Sequence, residues 1–189
     1  EINNHNYAHF DAAKEIEDLG KVILRLNSLL PADIAVDEIF RVADDQHARF
    51  SAKSRTYKYY IAVKKNPFWS DYTTLCTYPI DVDAMNEAAK HLFEYDDFKS
   101  FSKVHTDVKT NICRIYTAEW EKTDQFLIFT IKANRFLRNM VRAIVGTLLE
   151  VGKGKLTVEQ FCGIIERQDR CAAGMSVPAQ GLFLVDVEY

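Results

Sequence analysis

The chain has 189 residues, 48% of them hydrophobic and 27% charged, a globular balance that excludes a disordered or fibrous polypeptide and suffices for a sizeable core. No apolar run approaches the ~18–20 residues of a membrane helix, and Glu1–His5 has neither the basic nor the apolar region of a secretory signal. A net charge of −3 argues against a uniformly basic surface.

In chain order, Tyr7–Phe10 reads as extended, and Asp11 is expected to cap a helix carrying Ile16, Leu19, Ile23, Leu26 and Leu30 at helical spacing up to Pro31. Ile34–Val42 reads as a strand. Tyr57, Tyr59, Ile61 and Val63 occupy one face of a further strand, with Lys58, Tyr60 and Lys64 on the other. Val82–Phe93 is predicted helical, and Ile112–Trp120 and Phe126–Ala133 are two strands joined by a turn at Lys122-Thr123-Asp124. A long helix spans Phe136–Val151 and stops at Gly152. A helix over Val158–Ile165 and a strand over Leu182–Val187 close the chain. Hairpins mixed with helices predict an α+β fold, a mostly antiparallel sheet with helices packed on one face. The second half loosely repeats the order of the first, which hints at a pseudo-twofold.

Charge is strongly segregated. Gln46–Ser70 has no acid and six cations (Arg49, Lys53, Arg55, Lys58, Lys64, Lys65), and Gln125–Leu149 has no acid and four (Lys132, Arg135, Arg138, Arg142). The remainder holds 14 basic and 27 acidic side chains. Two such segments can form a positive cleft for a polyanion or two ordinary faces that lack acids; charge alone leaves both open. The four cysteines, Cys76, Cys113, Cys162 and Cys171, have neither C-x-x-C nor finger spacing and read as reduced thiols of a cytoplasmic protein.

Several familiar motifs are absent. Gly146–Gly154 looks superficially like a phosphate loop, but its glycine spacing is too long, Gly follows Lys153, and it ends a helix where a phosphate loop opens one. His5 and His9 are four apart in an extended segment and read as structural or surface side chains. In the long helix, Leu137, Met140 or Val141, Ile144, Leu148 and Val151 form the buried stripe, and Arg138 and Arg142 lie one turn apart on another face with Arg135 just before it. Gly146 continues that face and permits close approach of a backbone or ligand. An arginine beside Val141 and Ile144 is expected to be partly buried and to need a carboxylate or phosphate. The Arg55–Tyr60 strand interleaves cations with aromatics, a combination that suits extruded nucleotides; alone, it equally reads as tyrosines half in a core.

Together, His47-Ala48-Arg49-Phe50-Ser51-Ala52, Arg55-x-Tyr57-x-Tyr59, Asp97-Phe98-x-Ser100-Phe101, Phe136-Leu137-Arg138-x-Met140-Val141-Arg142-x-Ile144-Val145-Gly146 and Gly181-Leu182-x-Leu184 resemble the bacterial tRNA pseudouridine synthase A family from about Tyr7 to Tyr189. The resemblance implies a pseudo-twofold α+β fold with a basic cleft, a homodimer, and isomerisation of uridine to pseudouridine in the tRNA anticodon stem-loop without cofactor or metal. It makes 1–66 the remainder of an N-terminal half and 67–189 the C-terminal half, sharing a cleft and one sheet. Position by position, it places at Tyr57 the catalytic tyrosine that packs on the uracil, either as the base that moves the C5 proton or only as a stacking platform, at Arg142 the arginine that pairs with a catalytic aspartate, and at Leu182 an apolar wall residue. Arg49, Lys53, Arg55, Lys58, Lys132, Arg135 and Arg138 are then expected to bind phosphates.

One departure stands out. The family's aspartate lies in a Gly-Arg-x-Asp-x-Gly-Val motif before the stretch matching Tyr7–Phe10, and this sequence contains no such motif. Asp11, Asp97 and Asp107 stand in other contexts. With no initiator methionine, the chain reads as an N-terminally truncated piece of an active enzyme, inactive alone. The alternatives are a non-catalytic RNA-binding or dimerisation module of the same fold, or a protein-interaction domain whose basic segments are merely surface.

Overall fold

The strictest alternation in the sequence, Phe126–Ala133, becomes an inner strand whose every second side chain is buried. The computed structural model describes residues 6–103 and 109–189. Five strands form one sheet: β1 (Ser54–Ala62), β2 (Thr74–Leu75), β3 (Ile115–Lys122), β4 (Phe126–Ala133) and β5 (Leu182–Glu188). β3, β4 and β1 run antiparallel in that spatial order. The outer edge of β1 is shared, with antiparallel β5 along Ser54–Tyr59 and parallel β2 at Ile61–Ala62. The mostly antiparallel α+β arrangement expected from the sequence is thus observed.

Period-two alternation assigns the faces. Tyr59, Ile61, Leu127, Phe129, Ile131, Ala118 and Trp120 are buried with side chains of α2 (Val82–Lys90), α3 (Met140–Gly152) and α4 (Val158–Glu166), among them Met85, Ile144, Leu148 and Phe161. Lys58, Tyr60, Ile128, Thr130 and Lys132 belong to the other face and are half-buried. The Asp81 carboxylate accepts from Ala84 N–H to cap α2, and Thr157 with Gln160 forms a capping box on α4.

The chain divides into two compact units, Tyr7–Ser51 and Ala52–Tyr189. In the smaller unit the helix, α1, covers Leu19–Leu29 and is capped by Asp18, whose carboxylate accepts from Lys21 N–H at 2.9 Å. The expected start at Asp11 is corrected: Ile16 is the one large aliphatic residue between Asp11 and Asp18, so residues 11–17 have no apolar stripe to bury. The expected strand over Ile34–Val42 is also not formed. Its Val36 N–H and C=O are both taken by the Asn27 side-chain amide, at 2.7 and 2.9 Å, which substitutes for a strand partner.

Two further boundaries shift. Ile112 makes only an isolated bridge to Asp97, and β3 proper begins at Ile115. Helix α3 begins at Met140 and not at Phe136, because Asn139 adopts a left-handed conformation (φ 70°) that no α-helix accommodates. The helix is then buried around nearly its whole circumference, Ala143, Val145 and Leu149 included, a wider contact than the expected stripe.

Candidate active site

Arg142 occupies the first turn of α3. A cation there faces the positive end of the helix dipole, an arrangement that costs roughly 0.3–1 kcal/mol where a carboxylate would gain it. It is held by backbone. The Arg142 Nε–H donates to the Val177 carbonyl at 2.6 Å, and the Arg142 carbonyl accepts from Val177 N–H at 3.2 Å. The next carbonyl along, that of Pro178, accepts from the Tyr59 hydroxyl at 2.7 Å, and the same hydroxyl shares a 2.6 Å hydrogen bond with Thr74 Oγ1. Burial pushes the Tyr59 phenol up, while the Thr74 hydrogen bond and the Arg142 charge pull it down. Among the described residues the terminal nitrogens of Arg142 make no hydrogen bond or ion pair, so four of the five guanidinium donors remain for an anion.

Tyr57 lies two residues before Tyr59 on the same face of β1. Its ring meets Phe136 edge-on, with centroids 5.1 Å apart and an interplanar angle of 89°. Burial raises its phenol pKa, partly opposed by the Arg55 charge. Leu182 is in register with Tyr59 across β1 and β5, and Leu184 with Tyr57. Arg142, Tyr57 and Leu182 thus all adjoin Tyr59. Because the Tyr57 pKa is raised, its hydroxyl is protonated at neutral pH and is no standing base. A difference titration at 295 nm comparing the native chain with Tyr57→Phe is expected to show Tyr57 titrating above the ordinary tyrosine range; a component titrating below that range would contradict the burial of this phenol.

The other cations of the two basic segments are dispersed. Arg55 shares the Tyr57 face by strand periodicity and acts electrostatically on that phenol. Arg135 is half-buried beside Cys113; burial pushes that thiol up to about 11, and the Arg135 charge opposes it. Arg138 is exposed, and its carbonyl accepts from Lys103 N–H at 2.9 Å. Lys58 and Lys132 are on the opposite face of the sheet from Tyr57. Lys132 pairs with Glu188, whose carboxyl is held below its usual range by that ammonium and by the Ser54 hydroxyl at 2.6 Å. Lys53 Nζ donates to the Tyr189 carbonyl at 3.0 Å. Arg49 belongs to the smaller unit and stacks 5.6 Å above the Phe50 ring.

Asp97 accepts from Lys99 N–H and Gln168 Nε2, Asp11 is exposed in the smaller unit, and Asp107 lies outside the described residues. His5 also lies outside them, while His9 packs on His47 with ring centroids 4.0 Å apart. No group of three metal-ligating side chains converges among the described residues, and no helix there is long and apolar enough to cross a membrane. All four cysteines are free. Sequence reasoning missed Tyr59, Val177 and Pro178 as site components. Tyr59 enters the sequence only through its apolar phase and as the end of the Arg55-x-Tyr57-x-Tyr59 motif, with no role attached, and the other two act through carbonyls that every residue possesses.

The family model for tRNA pseudouridine synthase matches residues 88–189, which include Arg142 and Leu182. The tRNA pseudouridine synthase A of Bacteroides fragilis is 60% identical over 183 residues, covering 96% of this chain and 73% of that protein. The corresponding protein of Parabacteroides distasonis is 57% identical over 182 residues (96% and 72%), and that of Bacillus subtilis 42% over 166 residues (87% and 67%). With its half-buried arginine, its tyrosine-bearing β1 and its antiparallel sheet backed by helices, the chain belongs to the tRNA pseudouridine synthase family.

Proposed function

We propose that this chain is the arginine-bearing body of an enzyme that isomerises uridine to pseudouridine in tRNA, acting on the anticodon stem-loop as a homodimer. The supporting observation is the Arg142 guanidinium, fixed through Nε on Val177 beside Tyr59, with Tyr57 and Leu182 adjoining. In the reaction the C1′–N1 bond of the extruded uridine breaks, the uracil turns, and a C1′–C5 bond forms; C5 loses its proton and N1 gains one. An aspartate starts this sequence, and Arg142 keeps its carboxyl ionised in a partly dry pocket. Tyr57 covers one face of the uracil, and Leu182 bounds it. Arg55, on the Tyr57 face, contacts a phosphate near the base; Lys58 and Lys132 bind phosphates across the sheet, and Arg49, Lys53, Arg135 and Arg138 bind further ones.

The aspartate comes from outside residues 1–189, since the Gly-Arg-x-Asp-x-Gly-Val stretch is not in this sequence. Purified 1–189 is therefore expected to release no tritium from tRNA carrying [5-³H]uridine. The same chain joined to the part of the Bacteroides fragilis relative that has no counterpart in it is expected to release it. Release by 1–189 alone would place the nucleophile within the chain. An inactive chimera that still binds tRNA would favour a non-catalytic RNA-binding module.

A further inference from the structure

Between α4 and β5 the chain runs without regular structure from Cys171 to Pro178 across the N-terminal half of α3. This strap delivers the Val177 and Pro178 carbonyls to Arg142 and Tyr59, so its position sets theirs. Its attachments are specific. Met175 O rests so closely on Gly146 that a Cβ there would be 1.9 Å away. Gly174 N–H donates to Thr147 Oγ1 at 3.0 Å, and that hydroxyl donates to Ala143 O at 2.8 Å. The Asn139 side-chain amide caps nothing on its own helix and donates to Ser176 Oγ at 2.5 Å.

The remaining attachment is a second guanidinium. Arg170 Nη1 donates to the Ala173 and Gly174 carbonyls at 3.4 and 3.2 Å, and Nη2 to Ser176 Oγ at 2.9 Å. Arg170 is half-buried and forms no ion pair among the described residues; these three acceptors are all neutral groups of the strap. A planar fork can serve three acceptors spread over four residues, whereas an ammonium is a point donor on a flexible stem. On the reading of the site given above, we infer that Arg170 is a positioning residue for Arg142. It curls the strap over residues 173–176, so that the Val177 carbonyl meets Nε at 2.6 Å and the guanidinium is fixed before any carboxylate arrives. It touches neither uridine nor aspartate, and acts through Ser176, Val177 and the peptide between them.

The test reads the Arg142 Nε–Hε proton of the 189-residue chain by ¹⁵N–¹H NMR, assigned by its loss in Arg142→Lys. In the native chain this signal is expected to be resolved and slow to exchange. Arg170→Ala and Arg170→Lys are both expected to speed its exchange at least about tenfold, because neither restores the fork. Leu92→Ala, which opens the core at a fully buried site outside the strap and α3, is expected to lower the melting temperature and leave the signal in place. An unmoved Arg142 signal in Arg170→Ala overturns the inference, as does an equal change in Leu92→Ala, which would mark general loosening. In the aspartate-bearing chimera, Arg170→Ala is expected to lower kcat about ten- to a hundredfold with little change in KM, since misplacement by about 1 Å can cost ~10²-fold. An unchanged kcat overturns the inference. An unmodified chimera without activity counts against the isomerase reading alone, and the NMR comparison then decides the role of Arg170.

Discussion

Arg142→Ala, introduced into the aspartate-bearing enzyme, is expected to lower single-turnover pseudouridine formation by about 10²–10³-fold while tRNA binding persists. Breaking a buried charge pair costs ~3–5 kcal/mol, and because Arg142 is only half-buried the lower part of that range applies. At about 1.36 kcal/mol per tenfold, this gives the stated loss. Arg142→Lys retains charge but neither the Nε donor to Val177 nor the fork, so it is expected to rescue little. The pH dependence carries a sign. A neighbouring cation lowers a carboxyl pKa, so its removal raises the aspartate pKa and shifts the acidic limb of the pH–rate profile upward. Turnover by Arg142→Lys within a few-fold of the native rate, or an acidic limb that stays in place in Arg142→Ala, would contradict the pairing.

Gly146→Ala is expected to be the most damaging single methyl group in this fold. The added Cβ meets Met175 O at 1.9 Å and Met175 C at 3.0 Å, both backbone atoms, with no flexible side chain to give way. Overpacking of this kind costs ~1–3 kcal/mol or more. At roughly 2–4 °C per kcal/mol for a chain of this size, the melting temperature falls by about 5–10 °C. The displaced strap also withdraws the Val177 carbonyl from Arg142, so activity falls further than stability accounts for. Gly163→Ala is the matching control: it lies inside α4 with nothing within 4 Å of its added Cβ, and is expected to stabilise by ~0.4–1 kcal/mol. Equal melting temperatures for the two variants would show that the strap does not depend on Gly146.

Legibility in the sequence follows the strength of the local pattern. Phe126–Ala133 is readable because one face of β4 is buried and the other is not, so alternation survives in the residue order. Helix α3 is readable by its apolar density but not by its start, because Asn139 looks helical by composition and is left-handed only in context. Ile34–Val42 carries strand-like alternation that no neighbouring strand completes. Gly146 signals a close approach, and the approaching group is the Met175 peptide. A period of two already separates Lys58 from Arg55 and Tyr57 in the residue order, yet charge counted along the chain merges Arg55 and Lys58 into one basic segment. Arg142, Tyr57 and Leu182 are assigned through family resemblance; the carbonyls that orient Arg142 and Tyr59 belong to the backbone and leave no trace in residue identity.

The Pro178 carbonyl that receives the Tyr59 hydroxyl stands four residues before Leu182, where β5 locks into register with that same Tyr59. The stretch from Val177 to Leu182 therefore carries both the carbonyl that anchors Arg142 and the residue in register with Tyr59, and the Tyr59 phenol clamps it at Pro178. If Leu182 bounds the uracil as proposed, a base that presses on it pushes against the segment whose Val177 carbonyl holds Arg142, which ties the fit of the base to the position of the cation.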